Sequence, residues 1–228
     1  MYANVIVSKQ TPSINQVFYL SSQQNITEKK KNIRMKRIFL TLLYSVLLLP
    51  LTAQITAKTP KYEVRAAWVT AVYGLDWPRT RANSAEGIRK QQAELIEILD
   101  KLKEANFNTV LFQTRTRGDV LYNSSIEPYN SILTGKTSGN PGYDPLAFAV
   151  QECHKRGMEC HAWMVTIPLG NRKHVASLGK ESVTKRKPAI CVPYKREYFL
   201  NPGHPQTKEY LMSLVREVVD RYDVDGVH

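Results

Sequence analysis

From residue 64 to residue 228 the chain alternates short apolar runs of strand composition with amphipathic helical patterns. That alternation restricts it to a few architectures. Val64–Val72 reads as a first strand, followed by a turn-rich stretch, 73–78, expected to expose Asp76 and Trp77. A helix then begins at Ser84, a residue suited to an N-cap, with Glu86 in its first turn. Leu95, Ile98, Leu99 and Leu102 form the apolar stripe of a helix packed on a sheet, and Asn106 supplies a stop. The second strand runs into a long connection, Thr116–Tyr143, with glycines at 135, 139 and 142. Asp144 and Pro145 open a second helix and Gly157 closes it, before a third strand over 158–165. After a further excursion, 166–204, Pro205 opens a third helix with Leu211, Leu214, Val215 and Val218 on one face. A fourth strand begins at Val224.

The order is β-α-β-α-β-α-β. Right-handed crossovers make such strands parallel. The repeat predicts an α/β fold, the first half of a (β/α)8 TIM barrel with about four strands and three helices. A doubly wound sheet is the rival, but the glycine-rich loop that usually follows its first strand is missing.

The second strand carries the most chemistry. Thr109, Val110, Leu111 and Phe112 suit a strand covered on both faces, and Gln113, Arg115, Arg117 and Asp119 crowd its C-terminal end. In parallel sheets and barrels that end is where ligands bind. Side chains alternate along a strand, so parity sorts them by face. Thr109, Leu111, Gln113 and Arg115 share one face; Glu159, His161, Trp163 and Val165 share the matching face of the third strand, and Gly226 and His228 that of the fourth. The opposite parity, Val110, Phe112, Cys160, Ala162 and Met164, is apolar and suits a helix layer.

The expected ligand wall is therefore Gln113, Arg115, Asp119, His161, Trp163 and His228. An indole offers a flat face to a pyranose ring while amide, guanidinium and imidazole bond hydroxyls, so the set suits a sugar. Taken singly, each has another reading: His161 a hydrogen-bonded core histidine, Arg115 a cation paired with Asp119 or Glu127, Trp163 an interior filler. Glycoside hydrolysis usually needs two carboxylates about 5–9.5 Å apart. Asp76, Asp119, Glu127 and Asp225 are present, but parity aligns no pair of them, and Asp225 faces away from His228. No residue pattern calls for a metal or a cofactor.

The ends and the charge define the setting. Met35–Ala53 has a basic start at Lys36 and Arg37, an apolar run from Ile38 to Leu51, and small residues at Ala53 and Ala57, the three parts of a secretory leader. The run is short for a membrane span and Pro50 interrupts it. The expected organisation is an upstream or unstructured extension at 1–34, a leader at 35–57 and the folded region at 58–228, with export to the periplasm or beyond and no membrane span after cleavage. The net charge of +12 divides unevenly: seven basic residues and one acidic in 1–57 leave 25 basic and 19 acidic for the rest. That weakens the case for nucleic acid, and no nucleic-acid-binding signature accompanies the charge. Asn171–Arg196 concentrates Arg172, Lys173, Lys180, Lys185, Arg186, Lys187, Lys195 and Arg196 against Glu181 and the adjoining Glu197. It reads either as a solvated loop or as an attractor of anionic glycan. Cys153, Cys160 and Cys191 cannot make a full disulfide framework and lack metal-ligand spacing.

Several segments in order resemble one family. They are Arg65-Ala-Ala-Trp-Val-Thr70, Asp76-Trp-Pro78, Phe112-Gln-Thr-Arg-Thr-Arg-Gly-Asp119, Tyr143-Asp-Pro-Leu-Ala-Phe-Ala149, His154-Lys-Arg-Gly157, His161-Ala-Trp163, Leu200-Asn-Pro-Gly203 and Arg221-Tyr-Asp-Val-Asp-Gly-Val-His228. Over about residues 62–228 the chain is similar to the bacterial glycosyl hydrolase-like family 10, a TIM-barrel group of exported proteins. The resemblance implies a glycosidase acting on a bacterial cell-wall or other polysaccharide, since some relatives act on peptidoglycan glycan strands. It also implies a catalytic aspartate in a Phe-Asp pair following the fourth strand, past His228, and four further βα units. The alternative expectation is a carbohydrate-binding protein without catalysis, or an inactive remnant.

Overall fold

The computed structural model describes residues 28–41 and 63–228. Residues 1–27 and most of the expected leader, 42–57, lie outside the described residues. Residues 28–41 form a helix, α1, exposed along its length, that crosses the expected boundary at residue 35. No helix among the described residues is long and apolar enough to cross a membrane.

Residues 62–228 form a separate unit. Its main sheet has four parallel strands in the order β1 (Ala66–Val69), β2 (Thr109–Arg115), β3 (Glu159–Met164) and β7 (Gly226–Val227). Neighbours in the sheet follow the order of the βα repeat, with no reversal of the kind that marks a doubly wound sheet. The crossovers are α2 (Ala85–Glu104), α3 (Pro145–Lys155) and α6 (Pro205–Arg221). Each starts where side-chain chemistry satisfies free amides. Ser84 accepts from Gly87 N, Asp144 from Leu146 N and Ala147 N, and His204 from Gln206 N. Asn106 and Gly157 follow the first two helices with φ of 62° each, the left-handed turn that ends a helix.

The core joins the apolar parity of the strands (Val110, Phe112, Cys160, Ala162, Met164) to Leu95, Leu99, Ala149, Val150, Cys153, Leu214 and Val218 of the helices. Trp77, expected to be exposed, is wholly buried: its indole donates to Gln91 O at 2.8 Å and its ring lies 5.5 Å from that of Phe112. The 116–143 connection packs inward too, because it carries Val120, Leu121, Tyr122 and Leu133, all fully buried. The excursion between β3 and α6 is also built rather than loose. It holds a three-stranded antiparallel sheet, β4 (Pro168–Asn171), β6 (Glu197–Leu200) and β5 (Cys191–Tyr194), with short helices α4 (Arg172–Ser177) and α5 (Val183–Arg186).

Candidate functional site

The other face of the main sheet is where chemistry collects. Register sets Trp68, Leu111, His161 and Gly226 in one row across the strands. Gln113 and Trp163 pair in the next row, which His228 joins by donating its amide to Ala162 O and accepting from Met164 N. Strands lie about 4.8 Å apart, so the two edge strands of a flat sheet would stand about 14 Å apart. Yet the rings of Trp68, on β1, and His228, just past β7, meet edge to face with centroids 5.7 Å apart. Side chains stand roughly perpendicular to a sheet, so rings this close from the two edge strands mean that the sheet is curled, with this face concave. Trp68 is 53% exposed there, His161 and Trp163 are partly exposed, and His228 is exposed.

The expected wall divides when placed on this frame. His161, Trp163 and His228 do lie together on the concave face, as parity along β3 and β7 predicts. His161 is steadied by Glu159, Nε2 to Oε2 at 3.1 Å, and its ring lies close over the backbone of Gly226. Gln113 belongs to this face by register, but it is 2% exposed and its Oε1 accepts from Ala71 N and Val72 N, both at 2.8 Å. It fixes the chain as it leaves β1.

Arg115 is the main correction. A register shift between Gln113 and Arg115 sets Arg115 opposite Met164, not on the Trp163 parity. Its guanidinium is completely buried: Nε and Nη2 bond both oxygens of Glu127, and Nη1 donates to Val165 O and Thr166 O. Tyr210 adds its hydroxyl to Glu127 Oε1 at 2.6 Å. Burial works to lower the Arg115 pKa, but Glu127 outweighs it and the net shift is upward. Arg115 is thus held as a cation inside the fold and leaves the concave face without a guanidinium. Asp119 is likewise 1% exposed, taking Thr116 Oγ1 and Arg117 N on Oδ1.

The remaining expected carboxylates are engaged as well. Asp76 accepts from Thr70 N at 2.8 Å. Asp225 accepts from Cys160 N at 2.7 Å and lies 2.8 Å from His154 Nε2; burial pushes its pKa up, but these bonds prevail and lower it. Among the described residues no group of histidine, cysteine and acidic side chains could hold a metal ion.

Residues 63–228 match the profile of the family described as Glycosyl hydrolase-like 10. The chain belongs to that family. It is similar to Glycosyl hydrolase YngK of Bacillus subtilis, 33% identical over 167 residues, covering 73% of this chain and 32% of the relative. It is also similar to Glycosyl hydrolase DigH of Escherichia coli K12, 36% identical over 185 residues, covering 75% and 42%. The chain thus spans a third to two-fifths of the length of these relatives. Among solved structures it is similar to a maltogenic α-amylase, AmyB of Thermotoga neapolitana, with TM-score 0.45 and 16% identity over 71% of this chain and 37% of that one. An α-galactosidase of Thermus thermophilus gives 0.42 and 13% over 72% and 29%.

Parity reasoning along the strands overlooked Trp68, Tyr73 and His174, which belong to three different segments, whereas Arg117 is among the polar residues expected at the end of the second strand. Tyr73 is 71% exposed at φ 58°, a backbone region costing a non-glycine residue about 1–3 kcal/mol and often found where function requires it. Its exposed aromatic ring beside the C-terminal edge of β1 was the available signal.

Proposed function

We propose that this chain supplies the first four strands of a (β/α)8 barrel and that its concave face is a sugar-binding wall of a glycoside hydrolase. The observation that carries the reading is the set of exposed and partly exposed aromatic and imidazole groups, Trp68, His161, Trp163 and His228, on the concave side of a curled parallel sheet. Indole faces take the apolar side of a pyranose and the histidines bond its hydroxyls. The substrate is a polysaccharide of the bacterial cell wall, such as a peptidoglycan glycan strand, met after export. Hydrolysis of the O-glycosidic bond would use two carboxylates. The family resemblance implies an acid just after the fourth strand, and the residues of this face bind and orient the sugar.

A second reading, glycan binding without hydrolysis, has its own support. Asp76, Asp119, Glu127 and Asp225 are each engaged in hydrogen bonds within the fold, so no pair of them stands free to flank a glycosidic bond.

Titration of the 228-residue chain with cell-wall oligosaccharides, followed by tryptophan emission, tests the reading. Of three tryptophans, Trp77 is buried, so Trp68 and Trp163 report on the face. Saturable quenching that Trp163→Ala abolishes is the expected result. Absence of binding, or binding indifferent to both Trp163→Ala and Trp68→Ala, overturns it. Release of reducing ends by a longer chain carrying the later strands separates hydrolysis from binding alone.

A further inference from the structure

Beyond the C-terminal ends of β1 and β2 lies a cavity of about 160 Å3, bordered by Tyr73, Thr116, Arg117, Asn130, Asn171 and His174. Four separate stretches of chain build it, and polar side chains share its lining with the apolar surface of Val72 and Ile132. The Arg117 guanidinium holds the Tyr73 ring, with Nη1 donating to the tyrosine hydroxyl at 2.7 Å and its carbon 5.1 Å from the ring centroid. Asn130 Nδ2 donates to Thr116 Oγ1 at 2.8 Å.

The histidine is oriented. His174 Nε2 lies 3.0 Å from Arg117 O. A carbonyl oxygen only accepts, so Nε2 carries a proton and Nδ1 is the nitrogen left for another partner. Next to it lies a buried group that the fold leaves unsatisfied. Asp119 Oδ2 is 3.4 Å from His174 Nε2 and is the one buried side-chain oxygen without a hydrogen-bond partner among the described residues. Buried polar atoms are nearly always paired, because leaving one unpaired is costly. Asp119 does not itself border the cavity; its oxygen lies beside His174 Nε2, which with Arg117 O engages that edge of the ring and leaves Nδ1 as the free nitrogen.

We propose that this cavity is a second glycan subsite, taking one pyranose unit of a chain that also runs over the Trp163 face. Tyr73 offers its ring to the sugar, and Arg117 and His174 Nδ1 bond its hydroxyls. The size fits one unit: clefts for larger ligands run to about 300–1,000 Å3. At about 30 Å3 per water, filling the cavity displaces about five waters. The inference rests on the carbohydrate-binding reading and adds to it a site made of other residues.

Calorimetric titration of the 228-residue chain with chitohexaose and with cellohexaose tests it, using Tyr73→Ala and His174→Gln beside Trp163→Ala. Thermal melts confirm that each variant folds; Tyr73 is exposed enough for its removal to leave the core intact. The expected result is at least one hexasaccharide bound by the parent, and tenfold or more weaker binding in Tyr73→Ala and in His174→Gln. Affinities unchanged in both variants, with binding still lost in Trp163→Ala, overturn the subsite and leave the concave-face reading standing. Failure of the parent to bind either hexasaccharide overturns both.

Discussion

Arg115 and Glu127 form a two-bonded ion pair, Nε to Oε2 and Nη2 to Oε1 both at 2.7 Å, with neither side chain reaching solvent. The pair ties the end of β2 to its long connection. Through Val165 O, Thr166 O and the Tyr210 hydroxyl it also reaches the segment after β3 and helix α6. Burial, and next the charge of Glu127, push the Tyr210 pKa far up, so this phenol stays a donor at any working pH.

Removing one partner strands the other charge in the core, at a cost of about 3–5 kcal/mol. Arg115→Met and Glu127→Leu are each expected to destabilise by that amount. The double variant should recover much of the loss, since apolar replacement of a buried pair is often close to neutral. Urea unfolding followed by circular dichroism measures all three; two single losses that simply add would contradict the coupling.

Gln113 makes a subtler prediction. Its Oε1 is the partner of two amides, Ala71 N and Val72 N, where the chain turns toward Tyr73. Gln113→Leu leaves both without this partner, at about 1–3 kcal/mol for the buried Ala71 amide and less for the half-buried Val72 amide. Amide exchange at Ala71 and Val72 should accelerate by two orders of magnitude or more, while exchange in α6 follows only the global loss. Equal acceleration everywhere would place the effect in overall stability instead of in this turn.

Much of the fold can be read from the residues because its signals are local. Ser84, Asp144 and Pro205 mark helix starts by chemistry that acts within three residues, and the period-2 pattern of β3 runs uninterrupted from Glu159 to Met164. Parity therefore places His161 and Trp163 correctly on one face. It fails for Arg115 because one register shift between Gln113 and Arg115 moves the guanidinium to another surface, and no residue type advertises that shift. The β4-β6-β5 sheet is illegible for a related reason. Its strands are four residues long and contain Pro168, Gly170 and Pro193, residues that ordinarily count against a strand. Tyr73, Arg117 and His174 come together only through tertiary packing.

Glu217 predicts an acid limit. Its carboxylate takes the Tyr122 hydroxyl at 3.0 Å, the Ser124 hydroxyl at 2.5 Å, and both Ser125 N and Oγ at 2.6 and 2.7 Å. Burial works to raise its pKa, but the bonds from Ser124 and Ser125 prevail, and it lies below the ordinary 4.5. A carboxylate with a depressed folded pKa contributes stability that is fully present above its unfolded pKa and is lost as pH falls through the folded value. Stability should hold from neutrality down to about pH 4.5 and then decline. In Glu217→Gln this part of the decline should be absent, with stability already lower at pH 7. Melting temperatures from pH 3 to 7 for parent and variant decide it.

Gly226 tests the concave face most directly. A Cβ built there would stand 2.7 Å from Nδ1 and 2.8 Å from Cε1 of His161, closer than real contacts allow, while the glycine's own φ is not one that side chains avoid. His161 is on the partly exposed side of the sheet and can swing away, so Gly226→Ala should cost less than about 1 kcal/mol of stability. The displaced imidazole would leave its place over Gly226 on the concave face. Glycan affinity should then fall by tenfold or more while the melting temperature moves by only a few degrees. Unchanged affinity would show that His161 is no part of the sugar wall, and that Trp163 and His228 bind without it.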